Sequence, residues 1–367
     1  MAFLVLEDGT VLEGLGFGAE KTVYGEVVFT TAMVGYPESL TDPSYRGQIL
    51  VETNPLMGNY GVPHRDLREN GLPLHYESDG IQVEGFVISR LMRPNHWTSV
   101  KSLDEWLREE GVPGIQGIDT RALVKRLREE GVMLGALIND DTSVDEAMEV
   151  VKKLDYEGMN LVSLVTPKNV VVHEPPGWKK TVVLLDMGVK YGILRELLRR
   201  RLRVVRIPYG WDVLDAVEEF SAAGVFFSNG PGNPTLLREA AEEAKKVLDA
   251  QVPAMGVCLG EQVLAMADGA EIYKMKYGHR GINKPVKDLK SGRAFVTTQN
   301  HGYAIIPESL DGFAVWMTNL DDGTVEGIKH RELPVIATQY HPEASPGPYD
   351  STWVFDEFLE LIGGVDG

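Results

Sequence analysis

Cysteine is almost missing: Cys258 is the only one in 367 residues. That excludes a disulfide framework within the chain and a cysteine-based metal cluster, and it fits a reducing compartment. Basic residues are also in short supply, with 36 Lys and Arg against 54 Asp and Glu and a formal net charge of −18. So acidic a chain is a poor match for nucleic acid or an anionic membrane surface, and ordinary solubility accounts for the charge. The opening stretch Met-Ala-Phe-Leu-Val-Leu-Glu-Asp-Gly has no basic region and no apolar run long enough for a secretion signal or a membrane span, so a cytoplasmic protein is expected. The length calls for two or more domains, each with its own core.

The first half offers little chemistry. Residues 2–6 and 10–17 alternate around Asp8-Gly9, a hairpin signal, and Val27-Val28-Phe29-Thr30-Thr31 and Ile49-Leu50-Val51 read as further strands. Between them lies the turn-rich stretch Gly35-Tyr36-Pro37-Glu38-Ser39-Leu40-Thr41-Asp42-Pro43-Ser44-Tyr45, polar and long enough for a binding role. After Gly85-Phe86-Val87-Ile88-Ser89 the pattern turns helical at 103–110, at 119–127 with Asp119 or Thr120 as cap, and at 144–154. No Lys-terminated phosphate loop, paired-carboxylate metal site or histidine cluster occurs in this half. Residues 1–165 therefore read as a β-rich α+β scaffold or docking domain.

Pro167, Pro175-Pro176 and Gly177 mark 166–180 as a linker. Beyond it, at 181–367, apolar runs and helical patterns alternate: Val182-Val183-Leu184-Leu185, a helix at 191–199, Val204-Val205-Arg206-Ile207, a helix at 213–220, Val225-Phe226-Phe227, and a helix at 236–248. Such a series predicts an α/β domain with a doubly wound, mostly parallel sheet, whose ligands gather at the carboxyl ends of the strands.

Cys258 stands at such an end. The apolar run 252–257 finishes in Gly256-Val257-Cys258-Leu259-Gly260 and continues as a helical pattern, which reads as a strand, a sharp turn and a helix. A lone cysteine is usually a small buried hydrophobe. Glycines two residues before and two after it, however, let strand and helix approach closely around a strained backbone, the arrangement of a nucleophile elbow, and the helix N-terminus favours the thiolate. Downstream, Val335-Ile336-Ala337 reads as a buried strand that leads into Tyr340-His341-Pro342-Glu343. Pro342 biases His341 towards an extended backbone, so His341 and Glu343 should project from the same side and complete a Cys-His-Glu triad. Ser228-Asn229-Gly230-Pro231-Gly232 follows another strand end, and an N–H from it could join that of Leu259 in an oxyanion hole.

In this order, Ser-Asn-Gly-Pro-Gly, Gly-Val-Cys-Leu-Gly-Glu-Gln and Tyr-His-Pro-Glu resemble the class I, triad-type glutamine amidotransferases. Thr41-Asp42-Pro43-Ser44-Tyr45, Asp119-Thr120-Arg121, Gln299-Asn300-His301-Gly302-Tyr303 and His341-Pro342-Glu343-Ala344-Ser345-Pro346-Gly347-Pro348 narrow the resemblance to the small, glutamine-hydrolysing subunits of carbamoyl-phosphate synthetases, over nearly the whole chain. The resemblance implies a flavodoxin-like catalytic domain with Cys258 as nucleophile, His341 as acid and base, and Glu343 as its orienter. It implies glutamine contacts from Ser44, Gly230, Gly232, Leu259, Gln262, Asn300, Gly302 and Tyr303; no metal site is expected. It further implies a thioester intermediate and a large-subunit partner that takes up the ammonia and carries the ATP and Mg; this chain itself is expected to hold no cofactor. Where the family commonly has His after the second elbow glycine, this chain has Glu261, whose carboxylate should raise the thiol pKa.

Three other readings share some of these features. An amidotransferase that serves another synthetase, making guanylate or anthranilate, would not explain the first 165 residues. A cysteine hydrolase of peptides or esters would not explain 228–232 or 299–303. A non-catalytic regulatory subunit would not need Cys258, His341 and Glu343 together.

Overall fold

The alternating strands at the N-terminus close on themselves. In this computed structural model, which describes residues 1–364, β1 (Ala2–Leu6), β2 (Val11–Gly18), β3 (Val23–Thr30), β4 (Gln48–Glu52), β5 (Gly85–Val87), β6 (Pro113–Gln116) and β7 (Met133–Ile138) form a closed barrel. Its order is β1-β7-β3-β4-β5-β6-β2, parallel from β3 through β6 and antiparallel elsewhere. Gly9, at φ 89°, supplies the left-handed residue between β1 and β2. Helices α1 (Leu103–Glu109), α2 (Thr120–Glu130) and α3 (Val144–Val151) each begin at a side-chain cap: Ser102 and Ser143 in reciprocal boxes with Glu105 and Glu146, and Asp119 on the Ala122 N–H.

Contacts divide the chain into two units, the first made of Met1–Arg68 and Pro73–Met159, the second of Glu69–Leu72 and everything described from Asn160 on. The stretch 166–180, expected to be a linker, belongs within the second unit. Val171–His173 (β8) pairs antiparallel with Leu202–Pro208 (β10), because its valines can cover a sheet edge despite the prolines that follow. The last three residues of the expected 181–367 domain lie outside the described part.

The second unit is built on a ten-stranded sheet. With β9 (Lys180–Asp186), β11 (Gly224–Phe227), β12 (Ala254–Val257), β13 (Ile272–Asp288), β14 (Ala294–Ile305), β15 (Phe313–Asn319), β16 (Val325–His330) and β17 (Val335–Thr338), its order is β8-β10-β9-β11-β12-β17-β16-β15-β13-β14. The five strands from β10 to β17 are parallel. The long hairpin and meander from β13 to β16 extend the sheet antiparallel. Alternation along the parallel strands separates two cores. Val183, Leu185, Val225 and Phe227 meet α5 (Val213–Glu219), α6 (Arg238–Asp249) and α7 (Leu259–Ala267), whereas Val182, Leu184 and Phe226 meet α4 (Tyr191–Arg199) and α8 (Val354–Leu361). Both faces are thus covered, which is why these strands read as continuous apolar runs. Among the described residues no helix is long and apolar enough to cross a membrane.

Candidate active site

Cys258 sits between β12 and α7 at φ 55° and ψ −105°, a conformation that non-glycine residues avoid. Two neighbours enforce it. A Cβ on Gly256 would lie 2.6 Å from the Gly260 carbonyl, and one on Gly260 would lie 2.1 Å from the Phe227 carbonyl oxygen at the end of β11. The Cys258 N–H donates to Thr338 O at 2.7 Å, which ties the elbow to β17, and the thiol lies 3.7 Å from Asn300 O. Only 3 % of the residue is exposed, at the first turn of a nine-residue helix.

Beyond β17, the His341 N–H donates to Thr298 O at 2.8 Å. Its Nδ1 lies 2.7 Å from Glu343 Oε1, as the extended backbone before Pro342 predicts. A carboxylate can only accept, so Nδ1 carries a hydrogen, which leaves Nε2 as the nitrogen that can take up or give a proton. That Nε2 is buried and, among the described residues, has no hydrogen-bond partner. Lys190, which the sequence reading missed, lies in the loop between β9 and α4. Its Nζ, fully buried, is 3.1 Å from Glu343 Oε1 and donates to Ala344 O at 2.8 Å. Burial alone would push the Glu343 carboxyl up; the Lys190 charge, with that of His341 and hydrogen bonds, outweighs burial and holds it at about 2.

The glycine loop after β11 is pinned on both sides. Ser228 Oγ accepts from the Met187 N–H at 2.9 Å, and Asn229 Oδ1 from the Lys190 N–H at 3.0 Å. Gly230 lies so close to Leu259 that a Cβ would meet its Cδ2 at 2.7 Å, and Gly232 turns at φ 89°. Gln262 Nε2 donates to Tyr303 O at 3.0 Å and to Gln339 Oε1 at 2.8 Å. Leu259 and Gln262 thus lie on the helix that follows Cys258, Asn300 O faces the thiol, Tyr303 O accepts from Gln262, and Gly302 lies between Asn300 and Tyr303 on β14. Ser44 belongs to the first unit, where it is buried in a single 3-10 turn at Pro43–Tyr45 and its N–H is capped by Asp42.

Glu261 behaves differently from expectation. Its side chain is buried with neither oxygen hydrogen-bonded to any described residue; burial first, and then the charge of Glu326, push its carboxyl well above the usual range. The more burial favours the uncharged carboxyl, the weaker the anionic field by which Glu261 could raise the thiol pKa.

Comparison with known proteins accords with this geometry. Residues 183–361 match the family model of class-I glutamine amidotransferases, and residues 4–137 match that of the carbamoyl-phosphate synthase small chain, CPSase domain. The carbamoyl phosphate synthase small chain of Pyrococcus furiosus is 68% identical over 99% of this chain and 98% of its own. That of Sulfolobus acidocaldarius is 48% identical over 99% and 97%. An arginine-specific small chain of Chaetomium globosum is 46% identical over 98% of this chain and 78% of its own. By fold and match, the second unit is a class I glutamine amidotransferase domain. The whole chain belongs to the carbamoyl phosphate synthase small chain family.

Proposed function

We propose that this chain hydrolyses glutamine and passes the ammonia to an ATP-dependent large subunit, which makes carbamoyl phosphate for arginine and pyrimidine biosynthesis in the cytoplasm. The observation that carries this reading is the strained Cys258 elbow at the end of β12, beside a strand that leads into the buried His341–Glu343 pair. Cys258, as the thiolate, attacks the carboxamide carbon. The oxyanion is held by the Leu259 N–H and an N–H of the Gly230 loop, and His341 Nε2, which has taken the thiol proton of Cys258, gives it to the departing amide nitrogen, which leaves as ammonia. Water, deprotonated by the same nitrogen, then releases glutamate from the thioester. Glu343, kept anionic by Lys190, fixes the imidazole tautomer throughout.

Glutamine contacts come from Gly230, Gly232, Leu259, Gln262, Asn300, Gly302 and Tyr303, and from Ser44 by family resemblance alone. ATP and Mg belong to the partner. Ammonia released into neutral water would be protonated and lose its nucleophilicity, so delivery to the partner requires an enclosed path.

The test is Cys258→Ala in the complex with the large subunit. Glutamine-dependent carbamoyl phosphate synthesis should fall roughly a million-fold, the scale seen when a catalytic nucleophile is removed, while synthesis from added ammonia persists. Loss of both activities in an assembled complex refutes the reading.

A further inference from the structure

Behind the elbow, three antiparallel strands bring together residues that the reaction does not use. His279 on β13 and His301 on β14 are direct cross-strand partners, with ring centroids 5.0 Å apart. Glu326 on β16 completes the group. His279 Nδ1 is 3.4 Å and His301 Nε2 is 3.8 Å from Glu326 Oε1, and all three side chains are buried. One ligand-type atom from each lies within 4.8 Å of the others.

The outer contacts orient both rings. His279 Nε2 lies 2.9 Å from Asp322 Oδ2, and His301 Nδ1 lies 2.9 Å from Tyr303 O. Carboxylate and carbonyl oxygens only accept, so those nitrogens carry hydrogens, and the second nitrogen of each ring faces Glu326, where a ring without a proton on it would present a lone pair. Hydrogen bonding satisfies this group only in part. Asn319 Nδ2 is 2.9 Å from Glu326 Oε1, 3.3 Å from His279 Nδ1 and 3.3 Å from Gln299 Oε1, so two N–H bonds face three acceptors. Among the described residues, His301 Nε2 and Glu326 Oε2 have no hydrogen-bond partner. Buried acceptors in this arrangement are stabilised by a cation.

We propose that His279, His301 and Glu326 form a binding site for a divalent cation of the zinc class. Ligand bonds of about 2.0–2.2 Å in a tetrahedron put neighbouring donor atoms about 3.4 Å apart, close to the spacings to Glu326 Oε1, and Glu326 Oε2 can supply a further contact. Imidazole nitrogens favour zinc over magnesium or calcium, and the Asp322 and Tyr303 contacts are the outer hydrogen bonds that such ligands require. The cation would bind β13, β14 and β16 together. It would also hold the Tyr303 carbonyl, which accepts from Gln262 as well, so the site is a structural support beneath residues assigned to glutamine.

The test uses the full chain carrying Cys258→Ala, so that the thiol cannot bind metal. Stripped with a chelator and titrated with Co²⁺, it should take up one equivalent, develop the visible absorption of tetrahedral cobalt, lose it to Zn²⁺, and melt at a higher temperature when loaded. Glu326→Gln in the same background should weaken binding at least ~100-fold, and Asp322→Asn about 10- to 100-fold. Absence of uptake, or equal uptake by Glu326→Gln, overturns the proposal in favour of a purely hydrogen-bonded network. Should Glu326→Gln fail to fold, the half-exposed Asp322→Asn decides alone, and unchanged affinity there overturns the site.

Discussion

The barrel and the sheet each bury a glutamate where a β-strand ends, and they treat it in opposite ways. Glu52 closes β4 of the barrel; its Oε1 is 3.4 Å from the Asn54 N–H, and burial dominates, pushing the carboxyl well above the usual range. Glu343 follows β17, is as deeply buried, and is held at about 2 because Lys190 is buried against it. Burial is therefore not what makes an anionic orienter. The buried lysine is, and it costs the fold two desolvated charges that must stay together.

The most severe way to break this contrast is at the imidazole. His341→Ala should lower glutamine turnover roughly 100- to 10,000-fold, the range of acid–base contributions, and Glu343→Ala should be milder because Glu343 only orients the ring. Equal losses, measured as glutamate release, would show that the roles are misassigned.

Much of the catalytic half was legible because its signals are local. The parallel strands are apolar on both faces, the elbow glycines flank Cys258 at fixed spacing, and His341-Pro342-Glu343 sets its own geometry. Lys190 was not legible: a lysine just past a strand end reads as solvated, and its partner lies more than 150 residues away in sequence. The antiparallel half was missed for a similar reason. β13 is interrupted by register shifts between Lys274 and His279 and between Gly281 and Lys284, which blur its alternation, and Gln299 to Tyr303 read as a binding motif instead of the middle of β14. The meeting of His279, His301 and Glu326 is set by strand register, for which no spacing in the sequence gives a sign. The prolines and glycine of 166–180 are a real composition break, yet three residues of that stretch suffice for an edge strand.

A second break removes the cation. Lys190→Met leaves the Glu343 carboxylate buried beside the imidazole alone, and separating a buried pair costs about 3–5 kcal/mol. Denaturant unfolding should register that loss, and the double variant Lys190→Met/Glu343→Gln should recover much of it, since the two residues act as one unit. A single-variant loss below about 1 kcal/mol would place the pair among weak surface bridges and undo the comparison.

The smallest expected effect sharpens the contrast through its sign. Glu343 has a folded pKa of about 2 against an ordinary 4.5, so its contribution to stability is present above pH 4.5 and is lost as the pH falls towards 2. Glu52 is raised from 4.5, so what it contributes is fully present below pH 4.5 and is lost as the pH rises through the folded value. Glu52→Gln keeps the accepting oxygen for the Asn54 N–H while removing the ionisation. Its melting temperature should therefore exceed that of the parent at pH 7, by less than Lys190→Met lowers it, and the advantage should shrink on acidification until the two proteins coincide near pH 4. Glu343→Gln should show the reverse, a deficit at pH 7 that narrows only between pH 4.5 and 2. Calorimetric scans across that range read both slopes. A Glu52→Gln protein less stable than the parent at pH 7 would mean that the barrel carboxylate is charged and partnered, and the two glutamates would no longer differ in kind.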